Sequence, residues 1–426
     1  MLDIKYIHNN QELLKQKLVN KGSDPSLIDQ VILADDNRKE LVSKIDDLRH
    51  SKSLLEDKIA KGEKEPADLE FLKNAKVTLK ELEDKAAIAD EEFIKVMRLI
   101  PNPPLDTVPV DPTGKEIFVL REVGDKPKFD FEPQDYVSLS EKLDLIDTER
   151  AAKTSGSRFG FIKNELALME FALLQFVFQK LSKEGFIPLV TPVMLKPKLM
   201  EGMGYVERGG EEIYYLAKDD MYLVGTAEQM VGSMHSDEVL DFNKLPLRYA
   251  AFSSCFRREA GSYGKDTKGI LRVHQFDKIE MFVFCKPEEA VKEHEHLLRM
   301  EEELMQALKI PYRVLNICSG DLGDPAAAKF DTEAWLPGQN NGEGEYRETH
   351  STSNCTDFQS RRLNIRYRDP QDQELHFAYT LNGTAFAIGR ALIAIIENYQ
   401  TAKGTIMVPE ALEPFMGGIK EIIAKT

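Results

Sequence analysis

Between Ala34 and Val96 the chain repeats in steps of four and three. Ala34, Arg38, Leu41, Ile45, Leu48, Lys52, Leu55 and Ile59 make one run. After a break at Gly62 and Pro66, a second follows: Leu72, Ala75, Leu79, Leu82, Ala86, Ala89, Phe93 and Val96. Such spacing, held over more than three heptads, keeps one seam of a helix against a partner and specifies a coiled coil. The polar turn KGEKEPAD is short enough to make the two helices antiparallel neighbours. A helix of roughly 30 residues is about 45 Å long. Two helices alone bury little, so the sequence predicts an arm that projects from a body. Its charges nearly balance, with 18 Lys and Arg against 21 Asp and Glu over residues 1–104. Such an arm serves either dimerisation or the gripping of a distant partner.

The unit MLDIKYIHNNQELLKQKLVNKG precedes the hairpin and is expected to cap its base. After it, Pro101, Pro103, Pro104, Pro109 and Pro112 forbid helix continuation and favour extended chain. Three segments are therefore expected: residues 1–104 with the arm, a Pro-rich linker over 105–116, and a body over 117–426. In the body, strand-like runs fall at 186–191, 213–216, 221–225, 247–256, 274–284, 313–317, 328–335 and 375–382. Helices are expected near 158–184, 287–308 and 385–401. The strands are grouped and do not alternate with helices. That pattern predicts an α+β fold, an antiparallel β-sheet flanked by helices.

Several function classes are disfavoured. The longest apolar stretch, Leu166 to Phe178, is too short for a bilayer and carries Glu170. The N-terminus lacks the apolar core of a signal peptide, so a cytoplasmic location and no membrane partner are expected. Cys255, Cys285, Cys318 and Cys355 form no C-x-x-C, which points to reduced thiols. Net charge is −16, against promiscuous nucleic-acid binding but compatible with one specific RNA. No G-x-x-x-x-G-K-[ST] loop is present, so a nucleotide would need another kind of site.

Chemistry concentrates in FRREAGSYGKDTKGILRVHQFDKIEM, residues 256–281. An apolar run delivers Arg257 and Glu259, a glycine-broken loop follows, and a second run carries Phe276 and Glu280. Side chains two or four apart on a strand share a face. Such a hairpin offers a guanidinium for phosphate, an aromatic plane for a base, and carboxylates for an amine or hydroxyl. Three further segments stand out. These are Thr226-Ala227-Glu228 at the end of MYLVGTAE, YRETHSTSNCTDFQSRR over 346–362, and LNGTAFAIGRALIAIIENYQ over 381–400. In the last, a strand is expected to end at Asn382-Gly383-Thr384, with a buried Arg390 in the first turns of a helix.

The hairpin resembles motif 2 of class II aminoacyl-tRNA synthetases, and residues 381–400 resemble motif 3. The long helix ending at Gly185, followed by GFIPLVTPVML, resembles motif 1. In wording and order the chain is similar to the bacterial seryl-tRNA synthetase family over essentially its whole length. The resemblance implies a serine–tRNA ligase using ATP with Mg²⁺. L-Serine would be activated to seryl-adenylate and passed to the 3′ end of tRNA(Ser), with charging of tRNA(Sec) left open. It further implies tRNA capture by the coiled-coil arm, and a homodimer through the motif 1 helix and strand.

The resemblance also assigns residues. Arg257, Arg390 and Glu348 would be catalytic. ATP would meet Arg257, Arg258, Glu259, Arg272, Val273, Phe276, Glu348, Thr349, His350, Ser351 and Arg390. Serine would meet Thr226, Ala227, Glu228, Arg257, Glu280, Asn382 and Thr384, with either glutamate open as partner of the amine. Glu348 and Ser351 would hold the metal. Lys265 and Lys268, in the hairpin loop, would approach the tRNA acceptor end. Two departures stand out. Thr384 stands where the bacterial family most often has serine, and PGQNNGEGEYRE is longer than the usual loop before Glu348. Two other readings are an adenylating paralogue that loads a non-tRNA carrier and a non-catalytic coiled-coil interaction protein. The complete arm speaks against the first. The presence of Arg257, Glu259, Glu280 and Arg390 speaks against the second.

Overall fold

The two heptad runs fold as long helices, α1 (Ser26–Ala60) and α2 (Pro66–Leu99). The computed structural model describes residues 1–63, 65–260 and 268–425. Pro66 opens α2 where no backbone donor is needed, and Glu65 and Asp68 form a reciprocal cap. Every heptad position named above is buried or half-buried, while Leu33, Leu54, Val77 and Ile88, off the seam, are exposed. Arg38 keeps its seam position by laying its guanidinium over the Phe93 ring, 4.5 Å from the centroid. Short helices at Ile4–Asn9 and Gln11–Asn20 supply Ile7, Leu14 and Leu18 to a cluster with Ile28, Val31, Phe93 and Met97.

The chain divides into two compact units, Met1–Pro101 and Asn102–Thr426. The proline-rich stretch belongs to the second. Asn102 donates to the carbonyls of Pro325 and Cys355, both at 2.8 Å. Leu105 and Ser319 add backbone bonds, and Val108 packs on Leu315, Ile317 and Leu322.

The second unit runs β1 (Phe118–Val123), α3 (Asn164–Lys183), β2 (Ile187–Val190), α4 (Ala227–Ser233), β3 (Leu247–Phe256) and β4 (Gln275–Cys285). It continues with α5 (Ala290–Ala307), β5 (Tyr312–Asn316), β6 (Ala328–Leu336), β7 (Glu345–Asn354), β8 (Tyr379–Ala387) and α6 (Ile388–Asn398). The eight strands form one sheet in the order β1-β5-β6-β7-β8-β4-β3-β2. All pairs are antiparallel except β2 on β3. β4 shows why the sheet is two-faced. Ile279, Met281 and Val283 enter the main core with α3, α5 and α6, whereas Lys278 and Glu280 turn to the opposite face.

The structure departs from the sequence expectation in particular places. The helix expected from residue 158 starts at Asn164, because Phe161–Ile162 pairs with Ile146–Asp147. The run at 375–382 is two strands in different sheets, Leu375–Phe377 and β8. β8 does not end at Thr384 but continues to Ala387, and the following helix starts at Ile388. β1 and β7 were not anticipated. β7 is polar because one face lines a cavity and the other carries His350 and Thr352, so no apolar run marks it. Among the described residues no helix is long and apolar enough to cross a membrane.

Candidate active site

One cavity of about 670 Å³ lies over the sheet face opposite α5 and α6. Alternation on the central strands fills it with polar groups. β4 contributes Phe276, Lys278 and Glu280, β6 Lys329, β7 Glu348, Thr349, Ser351 and Ser353, and β8 Asn382 and Thr384. Glu348 and Ser351 are three apart, a spacing that regular alternation would put on opposite faces. They share one face because the pairing of β6 and β7 slips between Thr332 and Glu333, leaving Thr349 as an extra residue. Thr349 satisfies its own hydroxyl on the Thr332 carbonyl at 3.1 Å.

One end of the cavity is rich in cations. Arg257 follows β3 directly; its backbone NH donates to the His274 carbonyl, and its Nε donates to the Gly225 carbonyl at 3.1 Å. Its guanidinium lies 5.3 Å from the Phe276 ring centroid. Arg257 and Glu259 do not share a strand face, since β3 stops at Phe256 and Glu259 has φ +52°. Both nonetheless line the cavity. Glu259 pairs with Arg272 at 3.4 Å. Arg390, expected to be buried, is partly exposed and donates to the Glu348 carbonyl at 2.8 Å. Partial desolvation pushes the Glu348 carboxyl up, but Arg390, Lys329 and Arg257 outweigh that and hold it below the ordinary carboxylate range. About half of the Glu348 side chain stays accessible. Ser351 faces the same space, and the adjacent Asp331 has a buried oxygen without a hydrogen-bond partner. A half-open ionised carboxylate beside a hydroxyl fits a hard divalent cation that takes few protein oxygens.

The other end is closed, lined by two carboxylates, one lysine and neutral polar groups. Thr226-Ala227-Glu228 does not finish a strand. Thr226 is the N-cap of α4, its Oγ1 accepting from the Glu228 NH at 3.2 Å. The same hydroxyl donates to Glu280 at 3.1 Å, and Lys278 pairs with Glu280. Glu228 accepts from Tyr205 Oη at 2.7 Å, from Asn382 Nδ2 at 3.0 Å and from Gln359 Nε2 at 3.1 Å. Burial, with Glu280 nearby, pushes the Glu228 carboxyl up to about 7. Thr384 stands beside Asn382 and Glu280 in the wall, its backbone paired with that of Glu280.

Three expected contacts are not made by side chains in the cavity. Ala227 points into the core with Met203 and Val231. Arg258 turns away, bonding the Ile213 carbonyl at 3.1 Å and covering Tyr214. His350 falls on the other face of β7, against Phe386, because the extra residue at Thr349 restores alternation after it. Lys265 lies outside the described residues. Lys268 is described only at the end of that loop, where its carbonyl accepts from Tyr136 Oη at 3.1 Å. Sequence reading missed Tyr205, Lys278, Lys329 and Gln359. Lys278 had a signal, a charge at cavity parity inside an apolar strand, whereas Lys329 sits among the polar residues of AKFDTEAWL and is not set apart. Tyr205 and Gln359 had none.

Residues 1–104 match the family described as "Seryl-tRNA synthetase N-terminal domain", and residues 214–399 match "tRNA synthetase class II core domain (G, H, P, S and T)". The serine–tRNA ligase of Corynebacterium efficiens is 46% identical over 421 residues, covering 98% of both chains. A crystal structure of seryl-tRNA synthetase from Pyrococcus horikoshii complexed with ATP superposes with a TM-score of 0.94 at 38% identity, covering 100% of each chain. The cytoplasmic serine–tRNA ligase of Naegleria fowleri in complex with AMP gives 0.90 at 34% identity, covering 100% of this chain and 99% of that one. With its two-helix coil, its mostly antiparallel sheet and its full-length likeness to these enzymes, the chain belongs to the seryl-tRNA synthetase family.

Proposed function

We propose that this protein is a serine–tRNA ligase that forms seryl-adenylate from L-serine and ATP and then serylates tRNA(Ser). The reading is carried by a single observation: one cavity joins a cation-rich end to a small closed pocket of hydroxyls and carboxylates. Phosphates suit the first and a short hydroxylated zwitterion the second. Arg257 is assigned to the α-phosphate, where charge builds as the serine carboxylate attacks; Phe276 to stacking on the adenine; Glu259 to its exocyclic amine; and Arg272 and Arg390 to the outer phosphates. Val273 and Thr349 complete the walls of the nucleotide site. Glu348 and Ser351 would hold Mg²⁺, which supplies charge neutralisation on the departing pyrophosphate.

At the closed end, Glu228 is assigned to the serine ammonium, because every side chain that hydrogen-bonds it is neutral and the nearby cation, Lys278, is paired with Glu280. Glu280, Thr226 and Thr384 are assigned to the hydroxyl end. Alanine would leave those buried groups without partners, a strong basis for rejecting it. No general base is required, since positioning and charge stabilisation carry both steps. The arm is assigned to shape and backbone recognition of the tRNA. A homodimer through α3 and β2 is supported by apolar side chains left exposed there, with Phe171 at 69% and Val190 at 79%. A cytoplasmic location follows from the same reading.

The decisive measurement is pyrophosphate–ATP exchange with serine, alanine, threonine and cysteine in parallel, followed by charging of tRNA(Ser). Exchange driven by another amino acid, or by none, overturns the proposal. Exchange with serine but no transfer to tRNA would favour the adenylating paralogue.

A further inference from the structure

Glu228 sits in a cage of side chains that do not themselves line a phosphate or metal site. A carboxylate has about four lone-pair positions. Tyr205 occupies one on Oε2, while Asn382 and Gln359 occupy two on Oε1. The Gln359 amide is itself oriented. Its Oε1 accepts from Thr380 Oγ1 at 2.7 Å, and its Nε2 also reaches the Met203 carbonyl at 3.5 Å. Flipping it would set its oxygen against both the Met203 carbonyl and the Glu228 carboxylate, so only one orientation is stable. Gln359 and Thr380 are fully buried, and neither lines the cavity.

We infer that Gln359 and Tyr205 are positioning residues that orient Glu228 and favour its anionic form, with one lone pair left free for the amino group of the substrate. The inference rests on the assignment of Glu228 to that amino group. Hydrogen bonds to the charged form favour it, and here they oppose burial and the neighbouring Glu280. The charged and titratable groups facing Glu228 are Tyr205, Glu280 and Lys278, with Cys355 close to Tyr205 and to Asn382. Lys278 is engaged by Glu280, so it does not replace the missing cation. Tyr205 is pushed above its ordinary value by burial and by Glu228, which keeps it a neutral donor. Removing one donor leaves the carboxylate less favoured, so protonation extends to higher pH and the ammonium is bound more weakly at neutral pH.

The test is serine-dependent pyrophosphate exchange across pH for Tyr205→Phe, Gln359→Leu and Glu228→Gln, with KM measured separately for serine and ATP. Tyr205→Phe removes only a hydroxyl and keeps the ring, so it guards against a failure of Gln359→Leu to fold. The expected result for both is a KM for serine raised roughly tenfold at neutral pH, with KM for ATP little changed. The acid limb of kcat/KM for serine should move up by about one pH unit. Equal losses for serine and ATP with an unmoved acid limb would mean a merely structural role and overturn the inference. If Glu228→Gln itself leaves KM for serine unchanged, the assignment of Glu228 fails, and the inference falls with it. If Glu228→Gln weakens serine while Tyr205→Phe does not move the limb, the assignment stands and the positioning role is wrong.

Discussion

Two buried carboxylates, one in each unit of the chain, receive opposite treatment. Asp35, at the base of the arm, is fully covered and meets His8, Arg38 and Lys39. Burial pushes its carboxyl up, but hydrogen bonds from Lys39, His8 and Arg38 win and bring it down to about 2. Glu228, in the cavity, is equally shut away yet meets only neutral donors, and it rises to about 7. The first charge is fully compensated and does structural work. The second is kept short of a cation, which is what a site awaiting an ammonium requires. Burial alone therefore does not separate scaffold from site; the charge of the partners does.

The contrast can be attacked from several directions, the largest effect first. Arg257→Ala should lower serine-dependent exchange at least ~1000-fold while circular dichroism shows the fold intact. Activity near that of the parent would break the assignment of the cation-rich end. Deleting residues 34–96 should cost more than about 100-fold in tRNA(Ser) charging. Exchange should stay within about twofold, because the arm and the cavity are separate units. Equal charging by the shortened chain would make the arm a dimerisation device after all.

Asp35→Asn tests the structural half. Its lowered value stabilises the folded arm above the ordinary aspartate pKa, near 4, and that contribution fades as pH falls through about 2. The substitution should therefore cost about 2 kcal/mol at neutral pH, read by hydrogen exchange across α1, and nothing below about pH 2. Serine-dependent exchange should not change. The smallest effect is expected from Thr384→Ser, which frees one methyl group of space and should relax rejection of threonine roughly tenfold at most.

The arm was legible from sequence almost residue by residue, because period and burial are the same fact in a coiled coil. Even Arg38 and Lys52, charged at seam positions, stay on the seam, Arg38 by laying its guanidinium on Phe93 and pairing with Asp35, Lys52 by pairing with Glu56. The sheet was legible where strands are apolar, as in β3 and β4. It was not legible in β7, whose composition is set by the cavity. At the site, residue identity survived better than local geometry. Glu259 and Thr226 both reach the cavity, but from a left-handed turn and a helix cap where regular strands had been expected. Short polar stretches carry no period from which such turns can be read.

The additional residue at Thr349 makes the chain tolerant in one direction only. Losing it would remove a wall contact and the hydroxyl that bonds the Thr332 carbonyl and His350 Nδ1, but Glu348, His350 and Ser351 would then alternate as an unbroken strand does. Gaining another residue there would rotate Glu348 to the far side, behind the sheet, and dismantle the pair proposed to hold magnesium. Length variation around this stretch is thus admissible upstream, in the turn that enters β7, but between the glutamate and the serine it is ratcheted toward shortening.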